Sequence, residues 1–321
     1  MGRTKDVPKL RDAADPRAHT KYSFSGHETF PFRYAWLPKG VQLARQYPDL
    51  FLRDDAIVIL GVGKNMVRSI RHWCETLGLL ERVDRAGRVR PTLFGSALFG
   101  RRGWDPYLEN PGTLWLLHWH LVTRRDRASA WYLAFTKWNT DLFTRDLLVD
   151  WLLRVLRDLP DARATAASLR RDIDVFLRTY APLPRERDLP IEDTFECPLV
   201  ELGLIRELDK GLYQFVRGPK DSLPDLVFLY TLLDYWKHAA IAQETISFEQ
   251  LLHGPGSPGA CFKLSENALA ERLERLPRWT GLAFDETAGM RTVLRRAQSA
   301  ARDPMMALKR FYELVHVESA P

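Results

Sequence analysis

"GVGKNMVRSIRHWCETLGLLERVDRAGRVRPT", Gly61 to Thr92, can be built to hold a nucleotide or to hold a DNA duplex. Its Gly-Lys pair after an apolar run suggests a phosphate-binding loop, while its continuation suggests a helix and a hairpin. The loop fails on spacing. A P-loop needs G-x-x-x-x-G-K-[ST], so that backbone N–H groups surround the phosphates and a hydroxyl reaches the magnesium. Here Gly61 lies two residues before Gly63, and Asn65 stands where the hydroxyl should be. At 100° per residue, Ile70, Trp73 and Leu77 return to within about 40° of Met66, an apolar stripe suited to a core. Lys64, Arg68, Arg71 and His72 fall on the other side. Gly78 supplies the left-handed stop that helices favour, and "LLERV" with "RVRPT" predicts two strands around an Asp84 to Gly87 turn. Before them, "RDDAIVIL" is a short apolar helix whose Asp54 and Asp55 suit the positive end of the dipole. Helix, tight turn, second helix and hairpin is the order of a winged helix-turn-helix, whose second helix enters a major groove while the wing reaches the backbone.

Charge supports DNA contact. The chain carries 47 Lys and Arg against 41 Asp and Glu, net +6; from Arg53 to Arg102 ten basic residues face five acidic ones, so most of the excess sits in this module. Arg82, Arg85, Arg88 and Arg90 all fall on the hairpin, as phosphate binding requires. The predicted DNA contacts are Lys64, Asn65, Arg68, Arg71, His72, Arg85, Arg88 and Arg90. The alternative is a packing or protein-interaction module with a merely solvated basic face.

At 321 residues the chain has room for two or three domains. No apolar run is long enough to span a bilayer and the polar N-terminus is not a secretory signal, so a cytoplasmic protein is expected. Cys74, Cys197 and Cys261 are widely separated, without a C-x-x-C, which indicates neither a disulfide framework nor a zinc knuckle. Ten tryptophans are present. In "TLWLLHWHL" and "RDLLVDWLLRVL" the spacing makes Trp115, Trp119 and Trp151 core residues rather than base-stacking platforms.

An internal echo extends the architecture. "ETLGLLERVDRAGRVRPT" is matched about 125 residues later by "VELGLIRELDKGLYQFVR", with the same glycine stop, strand, turn and strand. Helical patterns in "TRDLLVDWLLRVL" and "ATAASLRRDIDVFLRTY" place this second unit at about 144–217. A third candidate follows, where "SFEQLLHG" precedes "KLSENALAERLERL" and the hairpin "LAFDETAGMRTVLRR". Ser265 caps its helix, Leu269, Leu273 and Leu276 form the buried stripe, and Glu271, Arg272, Glu274 and Arg275 make a mixed exposed face. "APLPRERDLPIED" and "HGPGSPGA" predict irregular loops. The expectation is a mainly α protein with small β-hairpins and multiple winged helix-turn-helix-like modules: a tail over 1–20, a DNA-binding domain over 21–105, a helical domain with a second hairpin over 106–242, and a C-terminal module over 243–321.

Three segments, "FSGHETFPFRYAWLPKGV", "GVGKNMVRSIRHW" and "FECPLVELGLI", resemble the bacterial family of formerly unknown function encoded beside DNA phosphorothioation genes. The likeness spans nearly the full length, and "SGHETF" is its most specific phrase. It implies a magnesium-dependent DNA nick made before sulfur enters the backbone, a role in phage defence, and partners with ATPase, ATP-pyrophosphatase and cysteine-desulfurase functions.

No H-E-x-x-H, H-N-H or paired-carboxylate nuclease signature is present, so the metal site must come from isolated carboxylates, which with water are what magnesium prefers. In "SGHETF", Glu28 can ligate the metal and His27 can serve as general base; both can equally make loop hydrogen bonds. Asp193 and Glu196 in "IEDTFECP" can share an ion across one helical turn, although Asp193 or Thr194 also resembles a helix N-cap. Asp285 and Glu286 read as part of a hairpin turn. The leading expectation is a magnesium-dependent DNA nickase. The alternative is a non-catalytic winged-helix adaptor that recruits a sulfur-transfer complex to DNA. A transcriptional regulator fits less well, given three unlike modules and the aromatic N-terminal segment.

Overall fold

The computed structural model describes residues 21–159, 164–182, 197–239, 243–287, 289–296 and 303–318, and shows a mainly helical protein with small antiparallel sheets. A first unit contains α1 (Trp36–Gln46), α2 (Ala56–Leu60), α3 (Lys64–Thr76), β1 (Leu80–Arg82), β2 (Val89–Pro91) and α4 (Leu93–Phe99). Of the expected stripe of α3, Ile70, Trp73 and Leu77 are fully buried and Met66 partly so, with Val67 and Cys74 also inside, and Gly78 ends the helix at φ +70°. Helix α1 is not visible in the sequence, because Pro38 and Gly40 oppose helix propensity. Pro38 falls in the first turn, where no intrahelical N–H is needed. Gly40 lets α1 approach α3, for a Cβ there would lie 2.8 Å from Cys74 Sγ and 3.1 Å from Ile70 Cγ2.

Two helices follow, α5 (Pro111–Thr123) and α6 (Ser129–Thr136), buried almost all round. Such helices form the interior of a larger body. Trp115 and Trp119 are fully buried there, and Trp151 packs half-buried on Trp138, as the spacing predicts. The second unit runs β3 (Leu142–Thr144), α7 (Arg145–Arg157), α8 (Ala166–Tyr180), β4 (Ile205–Asp209) and β5 (Leu212–Phe215), followed by α9 (Asp225–Ala239). The third runs β6 (Thr245–Ser247), α10 (Phe248–His253), α11 (Pro258–Phe262), α12 (Glu266–Glu274), β7 (Leu282–Thr287) and β8 (Met290–Arg295). Their sheets share one topology, β3-β5-β4 and β6-β8-β7. In the first unit only β1 and β2 pair, yet Val89 N–H donates to the Pro48 carbonyl at 2.8 Å. Pro48 thus occupies the place of the missing third strand.

Three expectations change. "HGPGSPGA" is not wholly irregular: Ser257 accepts from the Ala260 N–H and Pro258 opens α11. Gly259 packs against α10, where a Cβ would meet Leu252 Cα at 2.6 Å. Arg272 is not on an open face of α12 but buried, donating to Lys220 O, Leu223 O and the Asp225 carboxylate. Leu276 is only partly buried. The last helix, α13 (Met305–Glu318), packs on α9; Tyr312 bonds Thr113 at 2.7 Å and stacks on Trp104 at 4.6 Å. That helix thus packs on the central helices, while its Arg310 lies over the Trp279 ring of the third unit at 5.0 Å. The tail over 1–20 and most of "APLPRERDLPIED" lie outside the described residues. Among the described residues no helix is long and apolar enough to cross a membrane.

Candidate nucleic-acid interface

The first turns of α3 are open: Lys64, Asn65 and Arg68 are all exposed. These are the positions from which a recognition helix reaches base edges. Among the described residues Lys64 has no carboxylate partner, and Arg68 has only Glu28, at 3.8 Å. Further along, Arg71 departs from the expectation. Its Nε donates to Glu75 Oε1 at 2.8 Å and its terminal nitrogen to Gly87 O at 2.9 Å, so it fastens α3 to the hairpin turn instead of facing a groove. His72 departs too, because its ring packs against Trp73 and His27 with centroids 5.2 and 6.1 Å apart. Burial, with smaller contributions from the His27 and Arg127 charges, pulls its pKa down to about 3. A neutral imidazole makes no ionic contact with phosphate.

On the hairpin, Arg85 is exposed and has no carboxylate partner among the described residues. Arg88 pairs with Asp84 at 2.5 Å and Arg90 with Glu81 at 2.7 Å. Exposed pairs of this kind are weak and salt-screened, so both guanidiniums remain exchangeable towards phosphate.

The "SGHETF" loop lies against this face on a strained backbone, with φ +68° at Ser25, +49° at Glu28 and +67° at Thr29. Non-glycine residues in that region store about 1–3 kcal/mol each and persist only where surroundings hold them. Here the holders come from three helices. From α8, Asp172 accepts from Ser25 N–H at 2.9 Å and from His27 Nε2 at 3.0 Å, and Arg178 donates to Thr29 O. From α3, Ser69 Oγ donates to His27 O and Trp73 Nε1 to Phe30 O, both at 2.9 Å. In α6, Ser129 Oγ receives Ser23 N–H at 2.6 Å. Gly26 is obligatory, since at φ +98° a Cβ would lie 2.6 Å from His72 Nδ1.

His27 is thereby engaged at both ring nitrogens, as in the loop-hydrogen-bond alternative. Its Nε2 donates to Asp172, its Nδ1 accepts from Thr29 N–H at 3.1 Å, and the residue is 2% exposed, so neither nitrogen is open to water. It acts as the pin of the loop. Asp172 went unnoticed in the sequence, although a lone acid inside the Leu169, Ile173, Phe176 and Tyr180 stripe of α8 is the signal that marks it.

Glu28 projects outward, its side chain 34% exposed and beside Arg68. Asp193 and Glu196 lie outside the described residues, and Asp285 and Glu286 sit on β7 at the hairpin. Among the described residues no group of three His, Cys, Asp or Glu side chains can hold a metal ion. Glu28 offers one carboxylate. This fits the sparse mode in which magnesium keeps several waters and takes its remaining oxygens from substrate phosphate.

His72 has a counterpart in the interior. His118 bonds Tyr180 Oη at 2.8 Å and Cys261 O at 2.9 Å, and burial lowers its pKa to about 3 as well. Both histidines fold neutral, whereas the unfolded chain takes up their protons near pH 6.5. Stability is therefore full above that value and lost as pH falls towards 3. Each histidine should cost about 1 kcal/mol between pH 6.5 and 5.5. Urea denaturation across that window checks the slope, and His118→Gln should remove about half of it.

Residues 24–312 match the family described as protein of unknown function, DUF4007. Among solved structures, a magnesium-ion-bound SspB is 32% identical with a TM-score of 0.83, over 96% of this chain and 92% of that one. A second SspB crystal structure is also 32% identical, with a TM-score of 0.81, over 93% and 90% of the two chains. No curated protein matches the sequence.

Proposed function

Because the chain belongs to the DUF4007 family, we propose that it is the SspB-like DNA-acting component of a phosphorothioation and phage-defence system of the Ssp type, binding duplex and nicking one strand with magnesium. In this reading the first unit is a winged helix-turn-helix, α3 enters the major groove and the hairpin follows the backbone. The observation that carries it is the strained "SGHETF" loop, which presents Glu28 beside the open basic face of α3. Lys64 and Arg85 hold phosphates. Glu28 is the magnesium ligand, and Arg68 brings its positive charge to the same spot. When bound, magnesium supplies transition-state charge stabilisation and a more acidic water. His27 and Asp172 orient the loop without touching substrate. The second unit, whose hairpin lacks the clustered arginines of the first, and the third, whose α12 face mixes acids and bases, pack or bind partners, and the ATPase, ATP-pyrophosphatase and cysteine-desulfurase components are the partners this system calls for. The substrate is cytoplasmic DNA.

One finding favours the adaptor instead: both ring nitrogens of His27 are engaged, so with Glu28 assigned to the metal this loop offers no second base to activate water. Supercoiled plasmid separates the two readings. The nickase converts it to open circle with magnesium and not with chelator. Tight, salt-sensitive binding by the purified protein without any relaxation leaves the adaptor.

A further inference from the structure

Glu75, in the last turns of α3, is buried, yet three guanidiniums converge on it. Arg71 Nε reaches Oε1 at 2.8 Å, Arg82 Nε reaches both oxygens at 3.2 Å, and Arg127 reaches Oε2 at 2.6 Å. Burial works against ionisation of Glu75, but hydrogen bonds from the three arginines outweigh it and hold the carboxyl below its usual range. One negative charge thus stands among three positive ones. The nearby Arg124 changes nothing in this balance, being matched by Asp126 at 3.1 Å.

A structural role accounts for one of the three. Arg71 is the least exposed, and it also bonds Gly87 O, so it alone serves both Glu75 and the hairpin turn. The other two behave differently. Arg82 comes from β1 and is held only through Nε; Arg127 comes from the connection between α5 and α6 and is held through one terminal nitrogen. Each guanidinium carries five N–H groups in a planar fork. The side chains of Arg82 and Arg127 are 56% and 31% exposed, so outward N–H groups remain on both. A guanidinium already anchored by a carboxylate has lost much of its rotamer freedom, and binding a second anion then costs less ordering.

We infer that Glu75 and its arginines form a phosphodiester clamp, in which Arg82 and Arg127 hold the DNA backbone as it passes β1. The interface thereby extends beyond the first unit, with Arg127 supplied from the central helices. This rests on the duplex-binding reading and adds two contacts to it.

The test uses the full-length chain, a fluorescent duplex and a salt titration. Arg82→Gln/Arg127→Gln should reduce the log-log salt slope by about 1.8 and weaken binding about thirtyfold at 0.15 M salt, at 0.9 per phosphate contact. Lysine at both positions should restore most of the slope, because counterion release counts charge. Arg206→Gln/Arg217→Gln, which removes the same charge from the second unit, should leave the slope unchanged. Should the glutamine pair lose its thermal transition, Arg82→Gln alone should still lower the slope by about 0.9. An unchanged slope in folded variants makes the hub purely structural and overturns the clamp. An equal drop in the Arg206/Arg217 control reduces the effect to net charge and overturns it too. Absence of salt-dependent binding in the wild type would instead sink the duplex-binding reading itself.

Discussion

Lys64→Gln/Arg68→Gln/Arg85→Gln is expected to weaken duplex binding by more than a hundredfold at 0.15 M salt and to flatten the log-log slope by about 2.7. These cations are chosen because the protein itself neutralises them least. Lys64 and Arg85 have no carboxylate partner among the described residues, and Arg68 has one only at 3.8 Å. Glutamine is preferable to glutamate, which would set two carboxylates together at Glu28 and disturb the loop. All three side chains are exposed, so thermal stability should move little. Fluorescence anisotropy at several salt concentrations reads the result, and a loss under tenfold in a folded variant would remove α3 and the hairpin tip from the interface.

Glu28→Gln should abolish most nicking while preserving binding. The change keeps size and shape but removes the charge that would hold magnesium, and a metal's electrostatic contribution of several kcal/mol corresponds to a rate loss of at least about a hundredfold. Affinity for duplex should hold or rise slightly, because Arg68 loses its counter-charge. Plasmid relaxation and anisotropy on the same preparation separate the two effects. Near wild-type nicking in this variant, with severe loss in Asp193→Asn, would move the metal to Asp193 and Glu196.

The elements that periodicity governs were legible in the sequence. The apolar stripe of α3, the Gly78 stop, the Asp84 to Gly87 turn and the repeat at Leu202 to Arg217 all follow from rules acting over a few residues. What a helical wheel reports is the side of a helix facing its own core. It says nothing of what covers the opposite side. Arg71, His72 and Arg272 were misplaced for that reason, covered respectively by the hairpin turn, the "SGHETF" loop and the start of α9. Helix α1 was hidden by Pro38 and Gly40, whose local cost is offset by packing against α3. In the candidate site, Glu28 was legible as an acid in an unusual segment. The fate of His27 was not, because its partner Asp172 lies 145 residues away.

That separation has a meaning in time. A ribosome adding about 5–20 residues per second needs roughly 7–30 s to travel from His27 to Asp172. During this interval the nascent first unit can fold, since α1, α3 and the hairpin are all already synthesised. The acceptor for Ser25 N–H and His27 Nε2 does not yet exist. An unfinished chain thus lacks the acceptor that pins the "SGHETF" loop, and the setting of Glu28 is completed only once α8 has been made.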